Sequence, residues 1–174
     1  MMPESGSFAA VALPHLDAAY NLARWLMGSA DEAEDVVQEA MLRALTYFPS
    51  YRGVNARAWV LQIVRNTAMA ALRMRRGLNL VPLAAEDCAP APEPADSGDD
   101  PEAALIRARA RQQLDGLLGT LPVELREALV LRELEELSYR EIAQVTEAPI
   151  GTVMSRLWRA RRMLAAAARQ GDGP

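Results

Sequence analysis

The chain has 174 residues, 51% of them hydrophobic but only 5% aromatic. Its core must therefore come from Ala, Leu and Val, which suits helices, and its length allows one ordinary domain or two small ones. All 19 basic residues are Arg, set against 23 Asp and Glu; one cysteine, Cys88, excludes an internal disulfide or a Cys-rich zinc site, and one histidine, His15, argues against a histidine-based catalytic or metal centre.

The N-terminal stretch MMPESGSFAAVALPHLD has early acid and no basic segment, unlike a signal peptide. No apolar run approaches the ~20 residues of a membrane span. A cytoplasmic protein with no membrane insertion is expected.

Residues 29 to 39 carry Asp31, Glu32, Glu34, Asp35 and Glu39 and no base. The segment SADEAEDVVQEAMLRALTYF predicts a helix opened by a capping box, Ser29 to Glu32. Its acids sit in the first turns, where the helix dipole favours them. Ala33, Val37, Ala40, Ala44 and Phe48 recur at helical spacing. FPSYRGVN then breaks the pattern with Pro49 and Gly53 and reads as a loop. Asn55 can cap a helix from Ala56 to about Arg76 that is apolar nearly all round until Val64. From 52 to 76 the charges are Arg52, Arg57, Arg65, Arg73, Arg75 and Arg76, with no acid.

Residues 77 to 102 reverse the sign: Glu86, Asp87, Glu93, Asp96, Asp99, Asp100 and Glu102, with no base. This Pro- and Ala-rich block lacks a core pattern and reads as a flexible acidic linker. It separates a first module, 1 to 76, from a second, 103 to 170.

The second module predicts a helix over 103 to 118 and another starting near Pro122, in the first turn, where a missing N–H costs least. Ser138 caps a short helix to about Val145, TEAP makes a turn, and Ile150 or Gly151 begins the last helix. Two short helices joined by a tight turn, the second one basic, match a helix-turn-helix. Val153, Leu157, Ala160 and Leu164 make the inward face of the last helix. Thr152, Ser155, Arg156, Arg159 and Arg162 lie on the other side, with the hydrogen-bonding and cationic groups that base edges and phosphates require. A merely solvated amphipathic helix is the bland alternative; the capped partner helix and the charge segregation weigh against it. Glu147 stands in the turn where many such motifs have Gly.

Together these pieces resemble the ECF (extracytoplasmic-function) sigma factors, of the major bacterial sigma family. AEDVVQEAMLRAL looks like that family's polymerase-binding helix and NARAWVLQIVRNTAMAAL like its −10 element helix. LPVELREALVLRELEELSYREIAQVTEAPIGTVMSRLWRARRML is similar to its −35 reading domain. The resemblance implies an all-α protein of two small helical domains, sigma domain two and the helix-turn-helix sigma domain four.

It implies a non-enzymatic initiation factor with no cofactor, directing core RNA polymerase to promoters, in stress response among other settings. Asp35, Gln38, Glu39 and Leu42 would contact the clamp helices of the largest polymerase subunit, and the flap of the second largest would be a further contact. Tyr51, Arg52, Asn55, Arg65, Asn66, Arg73 and Arg76 would serve the −10 element, the loop from Pro49 to Asn55 holding a flipped base. Tyr139, Arg140, Thr152, Ser155, Arg156, Trp158 and Arg159 would serve the −35 element. An anti-sigma factor is the expected regulatory partner. Met154 departs from the family pattern, standing where relatives often carry Arg or Lys. A stand-alone helix-turn-helix regulator is the rival; it would explain residues 121 to 164 and leave 29 to 76 unused.

Overall fold

The computed structural model describes residues 6–77 and 100–171. Most of the expected linker, with Cys88 and the acids from Glu86 to Asp99, lies outside the described residues. Among those described, all regular structure is helical.

The first module begins with α1 (Phe8–Ala12), whose N-cap Ser7 accepts the Ala10 N–H at 3.3 Å. A 3-10 turn over Leu13–His15 leads into α2 (Leu16–Met27), closed by Gly28 at φ 75. That left-handed cap position favours glycine. Next come α3 (Ala30–Tyr47), a 3-10 turn over Phe48–Ser50, and α4 (Ala56–Gly77). Helices α2, α3 and α4 pack on one another. The apolar faces of α2 (Leu22, Ala23, Leu26), α3 (Ala33, Val36, Ala40) and α4 (Val60, Leu61, Val64, Ala68) are buried there. Alanine at so many contacts lets the helix axes come close, which suits a chain poor in aromatics.

Two details of α3 differ from the sequence expectation. Ser29 has extended backbone, but its side chain makes no capping bond. Glu32 instead pairs with Arg75, 43 residues away, so a tertiary charge displaces the local box. Val36 is buried and Val37 only partly, a turn of the stripe set by where α2 and α4 lie. The expected Asn55 cap is present: its Oδ1 accepts the Ala58 N–H at 3.1 Å.

The second module holds α5 (Pro101–Gly119), capped by Asp100, and α6 (Val123–Leu129). The chain then widens into a π-turn over Val130–Leu134. Helices α7 (Tyr139–Thr146) and α8 (Ile150–Gly171) follow. At α7 a full capping box does form, Ser138 with Glu141. Leu125, Ala128, Leu131, Leu137, Ile142, Val145, Val153, Leu157 and Ala160 fill the core. That core is continuous with the core of the first module, because α6 packs on α2 and α7 on α4.

Candidate nucleic-acid interface

Helix α4 and the residue before it present polar groups that are met by glutamates of α6 and α7 and of the caps that follow the π-turn and α7. At its start, Asn55 takes φ 44, a left-handed conformation that Asn tolerates better than most residues. Its Nδ2 donates to Glu141 Oε1 at 2.7 Å. Two residues on, Arg57 donates to Glu135 at 2.6 Å. Gln62 donates to Glu147 at 2.8 Å, and Asn66 reaches the same oxygen at 3.4 Å. Arg65 forks the carboxylate of Glu127 at 2.8 and 3.1 Å. Thus three residues that the resemblance would give to the −10 element, Asn55, Arg65 and Asn66, are half-buried against acids of the second module.

Glu127 is 0% exposed, and Arg156 approaches it from α8 at 3.4 Å. Burial pushes its carboxyl above the ordinary glutamate range, and the bonds from Arg65 offset this only in part. Burial of Arg65 works to lower its pKa, but the hydrogen bond and charge of Glu127, together with the charges of Glu147 and Glu124, overcome it, so the guanidinium is held more firmly protonated. The two partners shift the same way for different reasons. Glu141 is held below the ordinary range, first by the Ser138 backbone N–H and then by Asn55.

The other residues assigned to the −10 element lie at the two ends of this face. Tyr51 is half-buried, its ring 4.8 Å from that of Trp59 and 6.1 Å from that of Phe48. Arg52 is exposed beside the equally exposed Val54. Arg73 and Arg76 are exposed near the C-terminus of α4. With Arg65, Met69, Leu72, Val123 and Glu124 they line an open cleft of about 230 Å³ between the modules.

The helix-turn-helix presents a second polar face, and this one is open. In the turn, Glu147 takes φ 54 and the Ala148 N–H bonds back to Ala143 O at 3.1 Å. On α8, Ser155, Trp158, Arg159 and Arg162 are exposed, while Thr152 and Arg156 are half-buried. The arginines of this basic helix differ in ways the sequence does not separate. Arg156 turns toward Glu127, and Arg161 pairs with Glu133 at 2.7 Å. Arg162 lies 4.7 Å from the centre of the Trp158 ring. Arg159 has no ion-pair or hydrogen-bond partner among the described residues. Tyr139 is half-buried, with Arg132 stacked 5.0 Å from its ring centre, and Arg140 is exposed.

A third surface lies on α3. Asp35, Gln38, Glu39 and Leu42 are all exposed and follow one another along the outward side of the helix. Glu39 bonds Arg43 at 2.8 Å, and Leu42 is 63% exposed.

The sequence missed the four acceptors Glu127, Glu135, Glu141 and Glu147. One signal was available: an acid in a tight turn that favours glycine. Glu127 and Glu135 were hidden within an ordinary-looking amphipathic run. Among the described residues no group of side chains could hold a metal ion, and no helix is long and apolar enough to cross a membrane.

Residues 12–77 match the family model for sigma-70 region 2, and residues 111–164 that for sigma-70 region 4. The ECF RNA polymerase sigma factor SigE of Mycolicibacterium smegmatis is 33% identical over 151 residues, covering 86% of this chain but 57% of that protein. The ECF RNA polymerase sigma-E factor of Haemophilus influenzae is 37% identical over 145 residues, 78% of this chain and 74% of that one. Among solved structures, the sigma factor RpoE of Bartonella quintana, in complex with the anti-sigma factor NepR, superposes with a TM-score of 0.71 at 28% identity, over 90% of this chain and 93% of that one. CnrH in complex with the cytosolic domain of CnrY gives 0.65 at 25% identity, over 95% and 89%.

Proposed function

The chain belongs to the ECF family of RNA polymerase sigma factors, and from that premise we propose how its three surfaces divide the work of promoter selection. Members of this family are non-enzymatic initiation factors, and an alternative sigma factor directs RNA polymerase to its promoters. A stand-alone regulator would leave residues 12–77 without a role, yet these match region 2.

Module one, 1 to 76, binds core polymerase through Asp35, Gln38, Glu39 and Leu42 against the clamp helices. It takes the −10 element with the loop from Pro49 to Asn55 and the polar face of α4. Module two, 103 to 170, reads the −35 element with α7 and α8 and meets the flap. Residues 77 to 102 span the distance between them.

The free chain is closed over its −10 face. The observation that carries this is the run of bonds from Asn55, Arg57, Gln62, Arg65 and Asn66 to four glutamates. Carboxylates occupy groups that in the open form would meet phosphates and flipped bases. Charge-assisted bonds of this kind are roughly twice as strong as neutral ones. Binding to core polymerase separates the modules and exposes the face. An anti-sigma factor acts by holding the closed form; RpoE and CnrH, both similar to this chain, were solved with such a partner or with the cytosolic domain of CnrY.

In vitro transcription from a genomic library tests the function. Core polymerase with the full chain should initiate at a defined set of promoters that core alone ignores. Initiation no different from that of core alone would overturn it.

A further inference from the structure

Helix α8 buries Val153, Leu157 and Ala160. The exposed flank beside that buried face should carry only groups at ease in water or against phosphate. Instead Ile150, Met154 and Trp158 follow one another at i, i+4 and i+8, exposed by 40, 50 and 59%. Single exposed apolar residues are ordinary. A continuous row, beginning at the end of a recognition helix that enters the groove first, is a surface with a partner.

The neighbours of the row identify that partner. Met154 is followed by Ser155, and Trp158 by Arg159, both exposed and both suited to base edges. The Arg162 guanidinium lies over the Trp158 ring. In the major groove, donors and acceptors mark three of the bases, and only thymine adds an apolar group, its 5-methyl. A methionine bordering the hydrogen-bonding readers is matched to that methyl and mismatched to the polar edges of the other bases.

We infer that Met154 and Trp158 form an apolar ridge that reads thymine 5-methyl groups in the −35 element. This rests on the promoter-reading function proposed above and adds the chemical group recognised. The two residues are four apart, about 6 Å along the helix, so the thymines they touch lie one or two base-pair steps apart at ~3.4 Å per step. Met154 is then a specificity-determining residue: a cation at its position would favour a phosphate or a guanine instead.

The test uses holoenzyme, the full chain on core RNA polymerase, and duplex probes carrying a −35 element taken from transcription selection. Each thymine is replaced in turn by deoxyuridine, which keeps the O4 acceptor and lacks only the methyl. Fluorescence polarisation should show about a fourfold loss at one or two positions, as expected for one buried methyl group. Met154→Ala should abolish the loss at one of those positions and keep the other; Trp158→Ala should do the reverse. Both side chains are exposed, by 50 and 59%, and the circular dichroism of each variant should match the wild type. Deoxyuridine tolerated at every thymine, a −35 element without thymine, or unchanged losses in Met154→Ala would overturn the ridge. Holoenzyme that selects no promoter at all would overturn promoter reading itself, and the ridge with it.

Discussion

Arg65 of α4 grips both carboxylate oxygens of Glu127 of α6, and the glutamate is wholly buried. Removing one partner of a buried pair costs about 3–5 kcal/mol when the other charge stays buried. Here the strain has an outlet, because parting the modules returns Arg65 to water. Glu127→Ala should therefore open the protein rather than unfold it. Small-angle scattering should show a larger radius of gyration, and the free variant should bind single-stranded −10 DNA more tightly. A compact variant with unchanged DNA binding would show that the pair does not hold the closed form.

Glu147→Gly separates backbone strain from latch. The left-handed backbone at φ 54 costs a non-glycine residue about 1–2 kcal/mol. Glycine relieves that cost but removes the acceptor for Gln62 and Asn66. The expected outcome is a melting temperature that holds or rises, with stronger −10 single-strand binding by the free chain. A lower melting temperature with unaltered binding would mean that Glu147 serves packing alone.

Asp35→Arg with Glu39→Arg should abolish co-purification with core polymerase. Both residues are exposed and neither supports the core of the first module. Reversed charge against a basic partner costs several kcal/mol. The far-ultraviolet dichroism of the variant should match the wild type. Normal co-purification would place the polymerase interface elsewhere.

Arg159→Ala and Arg156→Ala should differ. Arg159 is exposed and unpartnered among the described residues, so its loss should weaken −35 recognition at particular base pairs, by about 1–3 kcal/mol of discrimination. Arg156 is half-buried beside Glu127, so its loss should act mainly on the closed form. Binding measured over a panel of −35 variants separates the two. Uniform weakening by Arg159→Ala would make that residue a phosphate contact.

Acid should weaken one part of the closed contact in a defined direction. The Glu141 carboxyl is held low by the Ser138 N–H and by Asn55. Its folded pKa lies below its unfolded value, so the stability it contributes is complete above roughly pH 4.3 and is lost as pH falls through the folded pKa. Urea unfolding of wild type and Glu141→Gln should differ at neutral pH and converge at acid pH. A difference independent of pH would locate the effect in shape rather than charge.

Much of this protein was legible along the chain. Helix periods, the Asn55 cap, the turn before α8 and the inward row of Val153, Leu157 and Ala160 all follow from local preference and patterning, while the family came from the resemblance of whole motifs in their order. The arginines were visible only as charge. Which of them is free, and which is spent on Glu127, Glu133 or Trp158, depends on residues 4 to 62 positions away in the chain. Glu32 shows the same limit: a local capping box was available, and Arg75 took its carboxylate. Sequence fixes the strength of each local preference, because caps and periods act over a few residues. Only the tertiary structure decides which partner a long charged side chain meets, because an ion pair forms wherever packing brings opposite charges together.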